Sequence, residues 1–187
     1  MRAAVELHGS IGPAQTTISA VADRAGVERL TVYRHFPDER TLFAACSRQF
    51  LEDHPPPDFG RLMRARDPDR RLIGVLRAIY RYYRQTSATM AALIRDAETV
   101  PLVAEYLAPY HATVAGLADL LAIGFRAHRR RELRAAIGHA LEFTTWRSLT
   151  EHQRLTDAHA ARLMTALIGS VAAARTAGSL RRAPTAR

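Results

Sequence analysis

From Thr17 to Phe43 the chain reads T-I-S-A-V-A-D-R-A-G-V-E-R-L-T-V-Y-R-H-F-P-D-E-R-T-L-F. Ile18, Val21, Ala22 and Ala25 fall at the i, i+3, i+4, i+7 spacing of a short helix with one buried face. Thr16 or Thr17 offers a hydroxyl to cap its start. Gly26 then breaks the run, as suits a residue needing positive φ at a tight corner between helices. Helical spacing resumes from Glu28 to Phe36: Val32 and Phe36 lie four apart, while Tyr33, Arg34 and His35 are left with polar groups to present. Pro37 stops that helix and suits the first turn of another, where its fixed φ and missing N–H are tolerated. Two short helices about a glycine corner, with a third following, make the pattern of a helix-turn-helix, whose second helix fits the major groove of a duplex. Val21, Ala22, Ala25, Val27, Val32, Phe36 and Leu42 are expected to form its core.

Working outward, residues 2–9 read as a first helix of barely two turns, which Gly9 to Pro13 do not continue. The helix opened by Pro37 or Asp38, with acids in its first turn, runs to Leu51 or Glu52, and His54-Pro55-Pro56-Pro57 ends it. Residues 58–71 are arginine-rich and broken by Pro68, and read as loop with some helix. Leu72, Ile73, Leu76, Ile79, Tyr80 and Tyr83 trace one stripe on a helix from Asp69 to Arg84. A shorter helix then starts at Ser87 and buries Met90, Leu93 and Ile94. Pro101 opens a long helix to His128 that Pro109 should bend. Arg129, Arg130 and Arg131 form a solvated corner before a helix from Glu132 to Leu149. The last helix runs from Thr156 or Asp157 to Ala177, ends at Gly178, and leaves the tail G-S-L-R-R-A-P-T-A-R frayed. The result is an all-α fold of about nine helices. It divides into a DNA-reading head at 1–45 and a helical body at 46–187, joined mechanically by the helix from Asp38.

The composition agrees with that reading. Alanine, leucine and arginine dominate, 48% of the 187 residues are hydrophobic, and alternating β-branched runs are few. The formal charge of +9 leans toward a polyanionic partner. All 27 basic residues are arginine, however, and residues 1–45 hold five arginines against five acids. Affinity for DNA would therefore rest on placed contacts rather than on a general positive field. Cys46, the single cysteine, excludes an intrachain disulfide and reads as a packed small hydrophobe. No charge-free apolar run is long enough to span a membrane, and M-R-A-A-V-E-L-H-G-S does not resemble an export signal, so a cytoplasmic protein is expected.

Ala22 to Pro37 fit the motif A-x-x-A-G-V-x-x-x-T-[VL]-Y-R-[HY]-F-P, and on it the chain resembles the TetR-type transcriptional regulators. The pieces V-L-R-A-I-Y-R-Y-Y-R, L-I-R-D-A-E and A-L-E-F-T-T-W-R-S-L carry the likeness into the body. The resemblance implies an N-terminal helix-turn-helix and a C-terminal domain that binds a ligand and dimerises. It also implies that Thr17, Tyr33 and His35 hold phosphates while Glu28, Arg29, Leu30, Thr31 and Arg34 face base edges. Such a set could grip guanine through Arg29, accept from cytosine N4 through Glu28 and meet a thymine methyl through Leu30. Three positions depart from the family. The first helix begins in what resembles the second half of the usual one. Glu28 stands where Ser or Thr is usual, and Glu39-Arg40 replaces a lysine, which moves a backbone contact to Arg40.

A small head binds a half-site weakly, so a C2 homodimer on a palindromic operator is expected, with the last two long helices as the self-complementary face. Ile137, Leu141, Ala161, Met164, Thr165, Ile168 and Ala172 are the expected interface residues, because small side chains at helical spacing admit another helix. Tyr80, Tyr83, Tyr106, Tyr110, Phe143 and Trp146 are candidates to line an apolar cavity. His111 and Arg147 are its candidate polar determinants, with Thr86, Thr113 and Thr144 behind them. The occupant would be a small apolar or amphipathic molecule, whose preference for one arrangement of helices shifts operator affinity and thereby releases a repressor. No cofactor is expected, and His152 and His159, seven apart, make weak metal ligands. The sequence holds no HExxH, paired carboxylates, cysteine cluster or Gly-rich phosphate loop, so catalysis is not expected. A regulator or activator governed by a partner instead of a ligand is the alternative, and a helical structural protein or enzyme a remote one.

Overall fold

The computed structural model describes residues 1–174, which form ten α-helices and no strand. In the head, α1 (Arg2–Ser10) leads through a short 3-10 turn, Pro13–Gln15, to α2 (Ile18–Ala25), α3 (Arg29–His35) and α4 (Glu39–Asp53). Thr17 caps α2 by accepting the Ala20 N–H at 3.1 Å, and Asp38 caps α4 by accepting the Thr41 N–H. Gly26 turns the corner at φ 66°, in the left-handed region that a side chain would strain. Ala4, Val21, Ala22, Val32, Leu42 and Cys46 form the head's core. Two residues expected there are not in it: Ala25 and Val27 are exposed, Val27 by 42%. They flank the glycine, and the reversal carries both to the outer edge of the turn. Phe36 is only half-buried.

The body comprises α5 (Phe59–Leu62), α6 (Pro68–Ala97), α7 (Pro101–Ala122), α8 (Arg130–Leu141), α9 (Phe143–Arg147) and α10 (Asp157–Ala173), with a π-turn at Ser148–His152. Its core packs Trp146, Tyr80, Tyr83 and Phe143, all fully buried, among aliphatic side chains of α6, α7, α8 and α10. Several boundaries differ from expectation, among them the start of α8, which takes in Arg130 and Arg131 of the expected corner. Helix α6 runs unbroken for 30 residues, and no helix begins at Ser87. The Thr86 hydroxyl bonds back to the Tyr82 carbonyl at 2.8 Å, so this polar stretch stays inside the helix. Helix α7 stops at Ala122 rather than His128, with Ile123 extended and its carbonyl held by the Arg71 guanidinium.

The helix expected from Glu132 to Leu149 breaks at Glu142, where ψ is 140°. Tyr80 donates to the Ala140 carbonyl at 2.8 Å and Tyr83 to the Leu141 carbonyl at 2.7 Å. Two buried hydroxyls thus satisfy last-turn carbonyls that helix continuation or water would otherwise serve. Thr156 caps α10 through the His159 N–H. Helix α10 ends at Ala173, with Ala174 extended, short of the expected Ala177; the stop at Gly178 and the tail lie outside the described residues.

Helix α4 belongs to both units. Phe43 is buried among Val103 and Leu107 of α7 and meets Tyr106 edge-on at 4.8 Å. A second join fastens the α1–α2 connection to the end of α6. The Asp96 carboxylate accepts the Ala14 N–H at 2.9 Å and the Arg95 Nε–H at 2.7 Å, and Arg95 Nη2 donates to the Ile11 carbonyl at 2.9 Å. Gly12, at φ 94°, passes so close that a Cβ there would overlap both side chains. Burial pushes the Asp96 carboxyl up, but Arg95 and the Ala14 N–H together hold it below its ordinary value.

Candidate functional site

Helix α3 is held by one buried side chain, Val32, and presents nearly everything else. Glu28, Arg29, Leu30, Thr31, Tyr33, Arg34 and His35 are all exposed, Leu30 by 67% and Tyr33 by 50%. Val27, Leu30 and Tyr33 add exposed apolar surface to a helix that also carries Arg29 and Arg34. Neither arginine is ion-paired among the described residues. Such a surface suits a duplex groove: charge for phosphate and guanine, apolar surface for a thymine methyl. Thr17 is exposed at the head of α2, and accepting the capping bond leaves its hydroxyl proton free to donate. Arg40 differs from expectation, for its guanidinium is engaged with Glu105 of α7 at 2.7 Å. The first turn of α4 faces the body, so Arg40 spans the two units instead of standing free at the reading face.

Behind the head lies a cavity of about 600 Å³, walled by α1, α4, α6 and α7. Tyr83, Tyr106, Tyr110 and Thr113 line it. Tyr80, Phe143 and Trp146 do not: they fill the core, and the Trp146 N–H is spent on Asp157 at 3.0 Å. His111 and Arg147 face outward, Arg147 pairing with Glu151 at 2.9 Å. Thr86 is occupied by its bond to Tyr82, and Thr144 lines a separate hollow near His139 and Leu167. Tyr83 donates to Leu141, so the Tyr110 hydroxyl must donate to the Tyr83 oxygen, 2.8 Å away. Both hydroxyl protons are therefore spent, and burial pushes both groups above the ordinary tyrosine range, Tyr110 up to about 12.

The sequence reading missed the wall contributed by the head, including His8, Phe43 and Cys46. Phe43 and Phe50, seven apart on α4, were the available signal, being more aromatic surface than a small head needs. Nothing local marks His8. It is 9% exposed and lies tilted against Phe43 with ring centroids 5.4 Å apart. Burial lowers its pKa to about 4, so the ring is neutral at physiological pH. Burial likewise pushes the Cys46 thiol up to about 11, which keeps it protonated and unreactive.

The residues expected at a dimer contact turn inward. Ile137, Leu141, Ala161, Met164 and Ile168 are buried within the protomer, and Thr165 and Ala172 are half-buried. The small-residue stripe of α10 serves its own bundle, since spacing alone cannot tell which neighbour a helix admits. The outer face of α10 instead carries Leu163 and Leu167, exposed by 41% and 51%. Among the described residues no three potential metal ligands gather, and no helix is long and apolar enough to cross a membrane.

Residues 1–46 match the sequence profile of the bacterial regulatory proteins of the tetR family. No curated protein matches the chain in sequence. Among solved structures, the fold is similar to a protein of Clostridium perfringens provisionally named a fatty acid metabolism regulator, with TM-score 0.65 and 16% identity over 89% of this chain and 94% of that one. It is also similar to a transcriptional regulator from Rhodococcus sp. Rha1, with TM-score 0.62 and 20% identity over 91% of this chain and 92% of that one. At such identities the likeness is one of fold.

Proposed function

We propose that this chain, with a tetR-family head on a helical body, is a DNA-binding transcriptional regulator of that family and a repressor, released from a palindromic operator when a small apolar or amphipathic molecule fills the cavity. The observation carrying this reading is that the cavity wall is shared. His8 and Phe43 come from the head, Tyr83 and Tyr110 from the body, so whatever fits between them biases how the two units sit. A ligand that prefers one such arrangement by ~1–3 kcal/mol changes operator affinity ~5- to 150-fold.

Pairing of two heads follows from the size of α3, which reaches only a few base pairs. The apolar outer face of α10, with Leu163 and Leu167, supports a C2 dimer through α8 and α10. At the reading helix, Arg29, Arg34, Glu28, Leu30 and Thr31 address base edges while Tyr33 and His35 address phosphates, joined by Thr17 from the head of α2. Selection of bound genomic fragments at defined salt tests the assignment. One palindromic site should emerge, and a reporter driven by it should rise when the gene is deleted. A reporter that falls on deletion would make the protein an activator, and selection without any preferred duplex would remove the reading altogether.

A further inference from the structure

Of the polar side chains on the cavity wall, those of His8, Ser47, Tyr82, Thr89 and Tyr106 make no side-chain hydrogen bond among the described residues, and His8 is the most buried of them. The His8 ring is more than nine-tenths buried, faces the cavity, and is hydrogen-bonded to nothing among the described residues. Its nitrogens open onto the cavity rather than being sealed in the core, where among the described residues His54 Nδ1 and Arg71 Nε are the side-chain atoms left without a partner, so a molecule entering the cavity can reach them. The Tyr83 and Tyr110 hydroxyls do not compete for the role, their protons being committed to each other and to Leu141. The Thr89 hydroxyl presses against the neighbouring turn of α1, 3.1 Å from where a Cβ on Gly9 would stand. Polar capacity is thus gathered where α1 of the head meets α6.

The rest of the wall sets the charge of the occupant. No acidic side chain among the described residues lines the cavity, and its one charged residue is Arg48, exposed and in no ion pair among them. Phe43, Ile79, Met90, Leu93, Leu107 and Leu117 supply apolar surface between them. At about 30 Å³ for each water-sized group, the volume admits roughly 20 non-hydrogen atoms.

We propose that the effector is a single-headed amphiphile, uncharged or anionic, whose apolar body lies among these side chains and whose polar head is hydrogen-bonded by His8. This rests on the reading of the cavity as the effector site and adds both the chemical class and the residue that recognises it. His8 stands on α1, so the ligand is gripped by the DNA-reading head itself, and a cationic head would meet no counter-charge. A neutral imidazole has one donor and one acceptor nitrogen, so it can donate to a carboxylate, and can either donate to or accept from a hydroxyl.

The test titrates decanoate, decan-1-ol and decyltrimethylammonium into the full chain by calorimetry, with release of the selected operator as a second readout. Wild type should bind the acid and the alcohol at least about tenfold more tightly than the cation. His8→Phe, which keeps the ring against Phe43, should lose about tenfold for the acid and the alcohol, and His8→Gln should restore most of it. Equal affinity for the cation, wild-type affinity in His8→Phe with an unchanged melting temperature, or no binding of any decyl compound would overturn the proposal. Compounds that bind and release DNA regardless of His8 would leave the effector-released repressor standing and remove only this assignment. Binding in the expected order with DNA retained would keep the ligand class and refute release by an effector.

Discussion

The join between the α1–α2 connection and the end of α6 hangs on Asp96, and replacing it measures what holds the head to the body. Asp96 is 3% exposed and accepts two hydrogen bonds, from the Ala14 N–H and from Arg95 Nε–H. Arg95 is 55% exposed, so its ion pair contributes only about 0.2–1 kcal/mol. The buried carboxylate's bond to the Ala14 amide is charge-assisted and contributes about 1.5–3 kcal/mol. Asp96→Ala should therefore cost about 2–4 kcal/mol at neutral pH, with Asp96→Asn, which retains an acceptor for Ala14, costing about 1 kcal/mol. Urea unfolding of the full chain reads the total, and hydrogen exchange of the amides from Ile11 to Ala14 locates it. The carboxyl is held below its ordinary value in the fold, so its contribution is complete above about pH 4 and is lost as pH falls further. Wild type and Asp96→Ala should then converge in acid. Unfolding of Asp96→Ala within about 0.5 kcal/mol of wild type, or unchanged exchange at Ala14, would refute the argument.

Gly12→Ala should destabilise by about 1–3 kcal/mol, since φ 94° strains any side chain and the new Cβ would displace Arg95 and Asp96; a melting curve decides. The folded pKa of His8, about 4, lies below the ordinary imidazole value of 6.5, so the unfolded chain takes the proton first. Stability should therefore be flat above about pH 6.5 and fall by up to ~3 kcal/mol between pH 6.5 and 4, a slope that denaturation of His8→Phe should lack. Arg29→Ala should cost about 1–3 kcal/mol of discrimination at one operator position, whereas Tyr33→Phe should weaken binding to all duplexes alike; competition binding separates the two. Leu167→Glu places a charge on the outer face of α10 and should yield a folded monomer in sedimentation, which an unchanged dimer would disprove.

Most of the head was legible in the chain because each of its decisions is local. Thr17 and Asp38 cap the helix that begins at the next residue, Gly26 turns a corner that its own φ permits, and Pro37 ends the helix before it. Boundaries failed where a distant side chain intervened. The run from Glu132 to Leu149 lacks a strong breaker, yet Tyr80 and Tyr83, about 60 residues upstream, draw off the carbonyls of Ala140 and Leu141 and end the helix there. Arg40 reads as a free phosphate ligand until α7 brings Glu105 to it.

By itself the sequence determined the helical class, the caps and corner of the reading unit, and which side chains α3 has available to present. Tertiary structure alone decided which aromatics are core and which are cavity wall, that His8 of the head closes that wall, and which face of α10 is spent within the protomer. The physical reason is range. Backbone propensity and capping act over about one helical turn, whereas a cavity is a failure of packing between helices and belongs to no single element's pattern.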